Sequence, residues 1–305
     1  MGRTLLLSTS ERTWRDWLKD HRKGRDLICL DPSDPEQSPP GRLCLWRDSK
    51  VVAWRFYGSL DPQRSPQVLL TALIQLLEHA AEDVVVQLWA NRGTPLIRHV
   101  TMLASQIMKP DEILVPHDAQ MDESGFPVGP EPVELEAAFP NIVQNAQRKA
   151  HWLKMFEACE SHEVDLNSIS IEGARLGSGI AVNPSERARL FAPSVYHAEV
   201  AGSALFLVAL EDPSDADMAR ALDHFHCTRA HIAHPSEYEG LLCGFAKQHG
   251  EDFGSGTIES VDFGRCRLQI HSTAVAPAPV RILRLGSLRV DTAGRELGEL
   301  RPWQL

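Results

Sequence analysis

Over the first 116 residues, short apolar runs alternate with stretches of helical period, and this alternation constrains the fold more than any other feature. The runs at residues 3–8, 26–31, 84–89 and 112–115 are too short for core helices and read as buried strands. Between them, residues 11–19 read as a helix capped by Ser10, with Trp14, Trp17 and Leu18 on one face. Residues 65–81, with Pro66 in the first turn, and 95–108 predict two amphipathic helices. Residues 42–46 and 51–57 alternate around Asp48-Ser49-Lys50 and predict a hairpin. Strands alternating with helices give an α/β domain with a mainly parallel sheet.

The charge then changes character. Residues 1–116 hold 15 Lys/Arg against 14 Asp/Glu, whereas 117–138 hold six acids (Asp118, Asp122, Glu123, Glu131, Glu134 and Glu136) and no base. With three prolines, two glycines and little periodicity, 117–138 reads as an acidic linker. Residues 139–305 follow as a second part. It opens with a helix over 141–160 carrying Arg148, Lys149, His151 and Lys154, and then becomes strand-rich. One helix over 214–226, capped by Ser214, interrupts the strands, and Gly-rich turns separate them as in a small barrel or sandwich.

Several classes are excluded by composition. The longest N-terminal apolar run is Leu5-Leu6-Leu7, far short of a signal core or a membrane span, which predicts a cytoplasmic protein without a membrane partner. The six cysteines form no CxxC pair, so neither a disulfide scaffold nor a zinc finger is indicated. His224, His226, Cys227, His231 and His234 are the only metal-like grouping. They straddle a helix end and a strand, and no metal is expected. A net charge of −10 argues against a surface coated with phosphate-binding residues.

A strand, a polar turn and a helix at the start of an α/β chain is where a nucleotide-phosphate loop would sit. That chemistry needs glycines, so that backbone N–H groups converge on phosphate, together with a Lys and a Ser/Thr. The turn here is Ser8-Thr9-Ser10-Glu11-Arg12, and no GxxxxGK[ST] occurs anywhere in the chain.

The segments that follow nevertheless resemble, in order, the RNA 5′-hydroxyl polynucleotide kinases of messenger-RNA 3′-end formation, transfer-RNA splicing and pre-ribosomal RNA processing. The resemblance rests on Cys29-Leu30-Asp31-Pro32 with Gln37-Ser38-Pro39-Pro40-Gly41, and on Phe56-Tyr57-Gly58-Ser59-Leu60-Asp61-Pro62. It continues through Asn91-Arg92-Gly93-Thr94 and Lys109-Pro110-Asp111-Glu112-Ile113. In the second half it rests on a lid-like helix with Arg148 and Lys149, then Leu176-Gly177-Ser178-Gly179 and Gly240-Leu241-Leu242-Cys243-Gly244-Phe245. Gly254-Ser255-Gly256 through Asp262-Phe263, and Leu283-Arg284-Leu285-Gly286-Ser287, complete it.

The resemblance implies a degenerate P-loop-type parallel-sheet domain, a lid helix and a β-rich C-terminal domain. It makes Asp31 the candidate catalytic residue, as base or metal ligand. Asn91, Arg92, Gly93, Arg148 and Lys149 become candidates for nucleic-acid or phosphate binding. Two departures bear on activity: Cys29 replaces the first acidic position, and Asn91 and Thr94 replace the Thr and Trp of the clasp. Without the loop lysine and its N–H groups, the electrostatic stabilisation on which phosphoryl transfer depends is missing. The expectation is a non-catalytic, RNA-associated binding or scaffold protein, partnered by RNA or an RNA-processing protein and without a cofactor. Two alternatives stand beside it. One is an active 5′-hydroxyl kinase using Mg·ATP through an unusual loop, with Arg148 on the transferring phosphoryl group. The other is a protein–protein module, which the net charge favours.

Overall fold

A computed structural model of the chain describes residues 2–36, 39–90, 94–119, 125–173, 176–177, 179–273 and 280–300. The chain divides into two compact units, one ending at His151 and the other beginning at Trp152.

In the first unit Leu5, Leu6 and Leu7 are fully buried in β1 (Thr4–Ser8). A residue run apolar on both faces belongs in a parallel sheet covered on both sides. β1 pairs in parallel with β6 (Val84–Trp89) and β7 (Glu112–Pro116), and β6 pairs in parallel with β3 (Asp26–Cys29). The hairpin of β4 (Arg42–Arg47) and β5 (Lys50–Phe56) adds antiparallel to β3, giving the order β5-β4-β3-β6-β1-β7-β8. Helices α2 (Pro66–Leu77) and α3 (Pro95–Met108) bury Leu69, Leu73, Leu76, Val100 and Ala104 against the sheet. On the other side Trp14 and Leu18 pack with Leu6, Leu27 and Val85.

The first helix departs from the sequence reading. α1 is Arg15–His21, and its N-cap is Trp14 rather than Ser10. Arg12 and Thr13 instead form a short strand, β2, antiparallel to β9 (Glu136–Ala137). This pairing, extended by Ala138 N–H donating to the Glu11 carbonyl, satisfies the backbone that a first helical turn would otherwise have used. Part of the acidic stretch thus joins the first unit. β8 (Glu131–Val133) adds to the sheet in parallel with β7, and Val133 and Leu135 pack beside Trp14. Asp118 and Glu136 pair with Arg12 and Arg15, each at close range (2.9 and 2.8 Å).

Helix α4 (Asn141–Glu157) ends the first unit and opens the second. The second unit is β-rich, as expected. β10 (Glu160–Asp165) begins one sheet and β11 (Ser170–Gly173) ends it. A second sheet is built from β12 (Ile180–Ala181), β13 (Val195–Ala201), β14 (Ala204–Ala209) and β15 (Arg229–Ala233), with α5 (Pro184–Leu190) and α6 (Asp215–His224) between its strands. β16 (Leu241–Ala246), β17 (Asp252–Asp262), β18 (Arg267–Ser272) and β19 (Ile282–Val290) complete the first sheet in the order β10-β18-β17-β16-β19-β11, and β20 (Glu296–Glu299) also pairs with β19. Ser214 caps α6 by accepting from the Asp217 N–H.

The segment before β12 is tied down by Glu199 of β13. Its buried carboxylate accepts from the backbone N–H groups of Gly177 (2.7 Å) and Gly179 (3.1 Å), and pairs with His197 Nε2 (2.9 Å). Burial pushes this carboxyl up, but His197 and the two glycine N–H groups outweigh it and hold the group below its ordinary value. Gly177 has φ +77°, and a Cβ there would lie 1.9 Å from the Ile171 carbonyl oxygen, so glycine is required.

Candidate active-site cavity

In an open parallel sheet ligands bind outside the carboxyl ends of the strands, where successive connections diverge. The first unit has a cavity of about 110 Å³ at that position. Its wall comprises Ser8 at the end of β1, the Thr9-Ser10 turn, Asp31 and its turn after β3, and Gln87 and Trp89 of β6. Phe139, Gln144 and Gln147 close it from the start of α4.

Asp31 follows β3 and lines the cavity. It is 6 % exposed, and its carboxylate accepts from the Ser33 N–H (2.9 Å) and hydroxyl (2.6 Å). Burial, reinforced by the neighbouring charge of Asp34, pushes its carboxyl up to about 6, against the Ser33 hydrogen bonds that favour the ionised form. Asp34 accepts from Gln87 Nε2 (2.9 Å) and from the Glu36 N–H (2.9 Å). Burial, then Asp34, raises Glu36 as well. Three carboxylates therefore share one wall. Among the described residues the only cation lining the cavity is Arg12, and its guanidinium donates to Asp118 (2.9 and 3.1 Å) and the Leu135 carbonyl (3.2 Å).

This lining does not fit a nucleoside triphosphate. A triphosphate needs unspent cations and converging N–H groups. Here the one arginine among the described lining residues is already paired, and α1 begins only at Arg15, beyond the short strand β2. Among the described residues no group of three or more His, Cys, Asp and Glu is arranged to hold a metal ion.

The other predicted site residues are not brought together here. Asn91, Arg92 and Gly93 lie outside the described residues. Arg148 and Lys149 are on α4, one half-buried and one exposed, but neither lines the cavity, and Arg148 donates to Asn145 one turn earlier. Asp34, Glu36, Gln87, Trp89 and Gln147 were not anticipated. Gln87 carried a signal, as the one polar residue in the run Val84-Val85-Val86-Gln87-Leu88. The His/Cys grouping is dispersed among separate partners: His224 meets Glu186, His231 stacks on Phe206 and His234 caps the turn at Ser236.

No protein-family model matches the chain. Sequence similarity does connect it to named proteins. It is 25 % identical over 286 residues to a polyribonucleotide 5′-hydroxyl-kinase of Thermococcus kodakarensis, covering 86 % of this chain and 79 % of that one. It is 24 % identical over 272 residues to the corresponding protein of Pyrococcus horikoshii, covering 83 % and 72 %. That of Pyrococcus furiosus matches over 159 residues at 27 %, half of this chain and 42 % of the other. The fold is shared with Clp1p in two structures of its association with Pcf11p. One concerns their extended interface and the basis of ATP loss in a point mutant (TM-score 0.53, 11 % identity, 94 % of this chain and 75 % of that one). The other is the wild-type complex (TM-score 0.52, 12 % identity, 94 % and 74 %). By fold the chain is similar to Clp1p, and by sequence it is related to the polynucleotide 5′-hydroxyl-kinase family.

Proposed function

We propose that this chain is a non-catalytic member of that family that binds RNA as part of a protein assembly. The observation that carries the reading is the cavity at the strand ends. Among the described residues, three carboxylates and one already-paired arginine line the position where a kinase would need a lysine and free N–H groups. Phosphoryl transfer is almost wholly positioning and electrostatic stabilisation, so this lining removes the catalytic part and leaves the scaffold. RNA is the expected ligand because the sequence relatives are polyribonucleotide kinases, and α4 offers exposed Lys149 and Lys154 beside Arg148. A protein partner is expected because the fold relatives are found with Pcf11p.

The test is fluorescence anisotropy of a 5′-hydroxyl RNA oligonucleotide across a salt series. Binding should weaken as salt rises, with a log–log slope of about −0.7 per phosphate contact. Replacing Arg148 and Lys149 by Ala should flatten that slope. Absence of binding at low salt would reject the RNA part of the proposal.

One observation favours a second reading, that of an active kinase. Asp31 is a buried carboxyl raised to about 6, near the value that suits a general base at neutral pH. Phosphoryl transfer from ATP to RNA that disappears in Asp31→Asn would establish it.

A further inference from the structure

We propose that Cys29 and Cys44 form a reversible cross-strand disulfide when the chain meets a peroxide, a redox-sensitive clasp on the segment that carries Asp31, Asp34 and Glu36. Such a clasp lies beyond the function proposed above and closes whether or not nucleotide or RNA binds.

Cys29 is the last residue of β3, and in the register of β3 against β4 its partner is Cys44. Both are thiols, and both are fully buried. Directly opposed residues of an antiparallel pair put their side chains on the same face. Ile28, Leu30, Leu43 and Leu45 belong to the core beneath α2 and α3, so alternation turns Cys29 and Cys44 to the other face, where Leu27 packs with Trp14. Leu30 N–H donates to the Gln87 carbonyl and Asp26 N–H to the Asp83 carbonyl, which leaves the backbone of Cys29 directed at β4. The two cysteines are therefore a hydrogen-bonded pair, with Cα atoms about 5.5 Å apart, inside the roughly 4.4–6.8 Å span of disulfides. Opposed Cβ atoms stand about 4.5–5.5 Å apart, against about 3.5–4.5 Å in a disulfide, so the link closes with strain. A strained disulfide is the readily reduced kind, which makes this one reversible.

The pair sits against the cavity wall. Cys29 Sγ donates to the Asp31 carbonyl (3.6 Å), and on its β6 side the register partner of Cys29 is Gln87, which lines the cavity. Oxidation removes that S–H donor and ties β3 to β4 at the two ends of the segment bearing the three carboxylates. β4 and β5 are the outermost strands of the sheet, and local opening of such an edge exposes the thiols without global unfolding. One thiolate then attacks a peroxide oxygen, breaking the O–O bond to give a sulfenic acid and, after protonation, water. The second thiolate attacks the sulfenic sulfur, forming the S–S bond and breaking the S–O bond, and the hydroxyl leaves as a second water. Two electrons pass from the two sulfurs to the peroxide, so atoms and charge balance.

The test treats the folded full chain with hydrogen peroxide, blocks remaining thiols with N-ethylmaleimide in urea, and maps linked peptides by mass spectrometry. A Cys29–Cys44 peptide within one chain, released by dithiothreitol, supports the proposal. Because it needs local opening, the link should form at least about tenfold more slowly than the partly exposed Cys159 and Cys266 react. It should persist in the double variant Cys159→Ala/Cys266→Ala and disappear in Cys44→Ala. Hydrogen exchange over residues 42–47 should slow in the oxidised chain and recover on reduction. Recovery of Cys29 and Cys44 as unlinked thiols after Cys159 and Cys266 are consumed overturns the proposal. So does a link that appears only when the chain is oxidised in urea, or one that joins Cys29 to any other cysteine. Circular dichroism checks the fold of each variant, and mapping of the parent chain decides the matter should Cys44→Ala fail to fold.

Discussion

Replacing Asp31 by Asn changes one charge in a site whose geometry it should leave intact. The amide oxygen can still accept from the Ser33 N–H and hydroxyl, as the carboxylate does. What is lost is an ionised group 6 % exposed and facing Asp34. A carboxyl moved from 3.8 to about 6 is ionised in the fold at a cost of about 3 kcal/mol, at roughly 1.4 kcal/mol per tenfold change in proton affinity. The folded chain holds this proton more tightly than the unfolded chain does, so stability falls as pH rises between about 4 and about 6 and is level above that. Asp31→Asn should therefore be more stable than the parent at pH 7.5, by up to about 3 kcal/mol, and equal to it below pH 3.8. Urea unfolding from pH 4 to 8 reads this directly, provided the denaturant slope is unchanged. A variant less stable at pH 7.5, or a difference independent of pH, would refute the assignment of burial as the dominant cause.

Other perturbations probe the packing of each unit by itself. Gly177→Ala places a side chain in a left-handed conformation against the Ile171 carbonyl and should lower stability by about 2 kcal/mol or more in thermal unfolding. Glu199→Ala strands the N–H groups of Gly177 and Gly179 and should cost about 2–3 kcal/mol at neutral pH. Because the folded Glu199 carboxyl sits below its ordinary value, its contribution is present above pH 4.5 and lost as pH falls through the lower folded value. The Glu199→Ala variant should therefore show a shallower loss of stability in acid than the parent. Leu73→Ala, which empties a fully buried position of α2, should cost about 2–5 kcal/mol.

The parallel sheet was legible because its strands are short and apolar on both faces, a pattern that a helix of 3.6-residue period does not produce. The helices α2 and α3 were legible for the converse reason, each with a proline opening an amphipathic run. The start of α1 was not. Ser10-Glu11-Arg12 has good capping chemistry, but pairing with Glu136-Ala137 from far along the chain competes for the same backbone and prevails. The acidic stretch misled in a similar way. Its charge suggests solvent, but Val133 and Leu135 anchor it beside Trp14, and its carboxylates neutralise Arg12 and Arg15. Of the site, Asp31 could be found from its place after the second strand. Asp34 and Glu36 read as ordinary turn residues, and only the sheet brings Gln87 and Ser8 against them.

The central claim is that the strand-end cavity has lost the electrostatics of phosphoryl transfer. It is tested most directly by incubating the chain with Mg·ATP labelled at the γ-phosphate and a 5′-hydroxyl RNA oligonucleotide, with equilibrium binding of Mg·ATP measured on the same preparation. The account predicts neither saturable nucleotide binding up to millimolar concentration nor label on the RNA. Saturable binding together with a labelled 5′ end would contradict it.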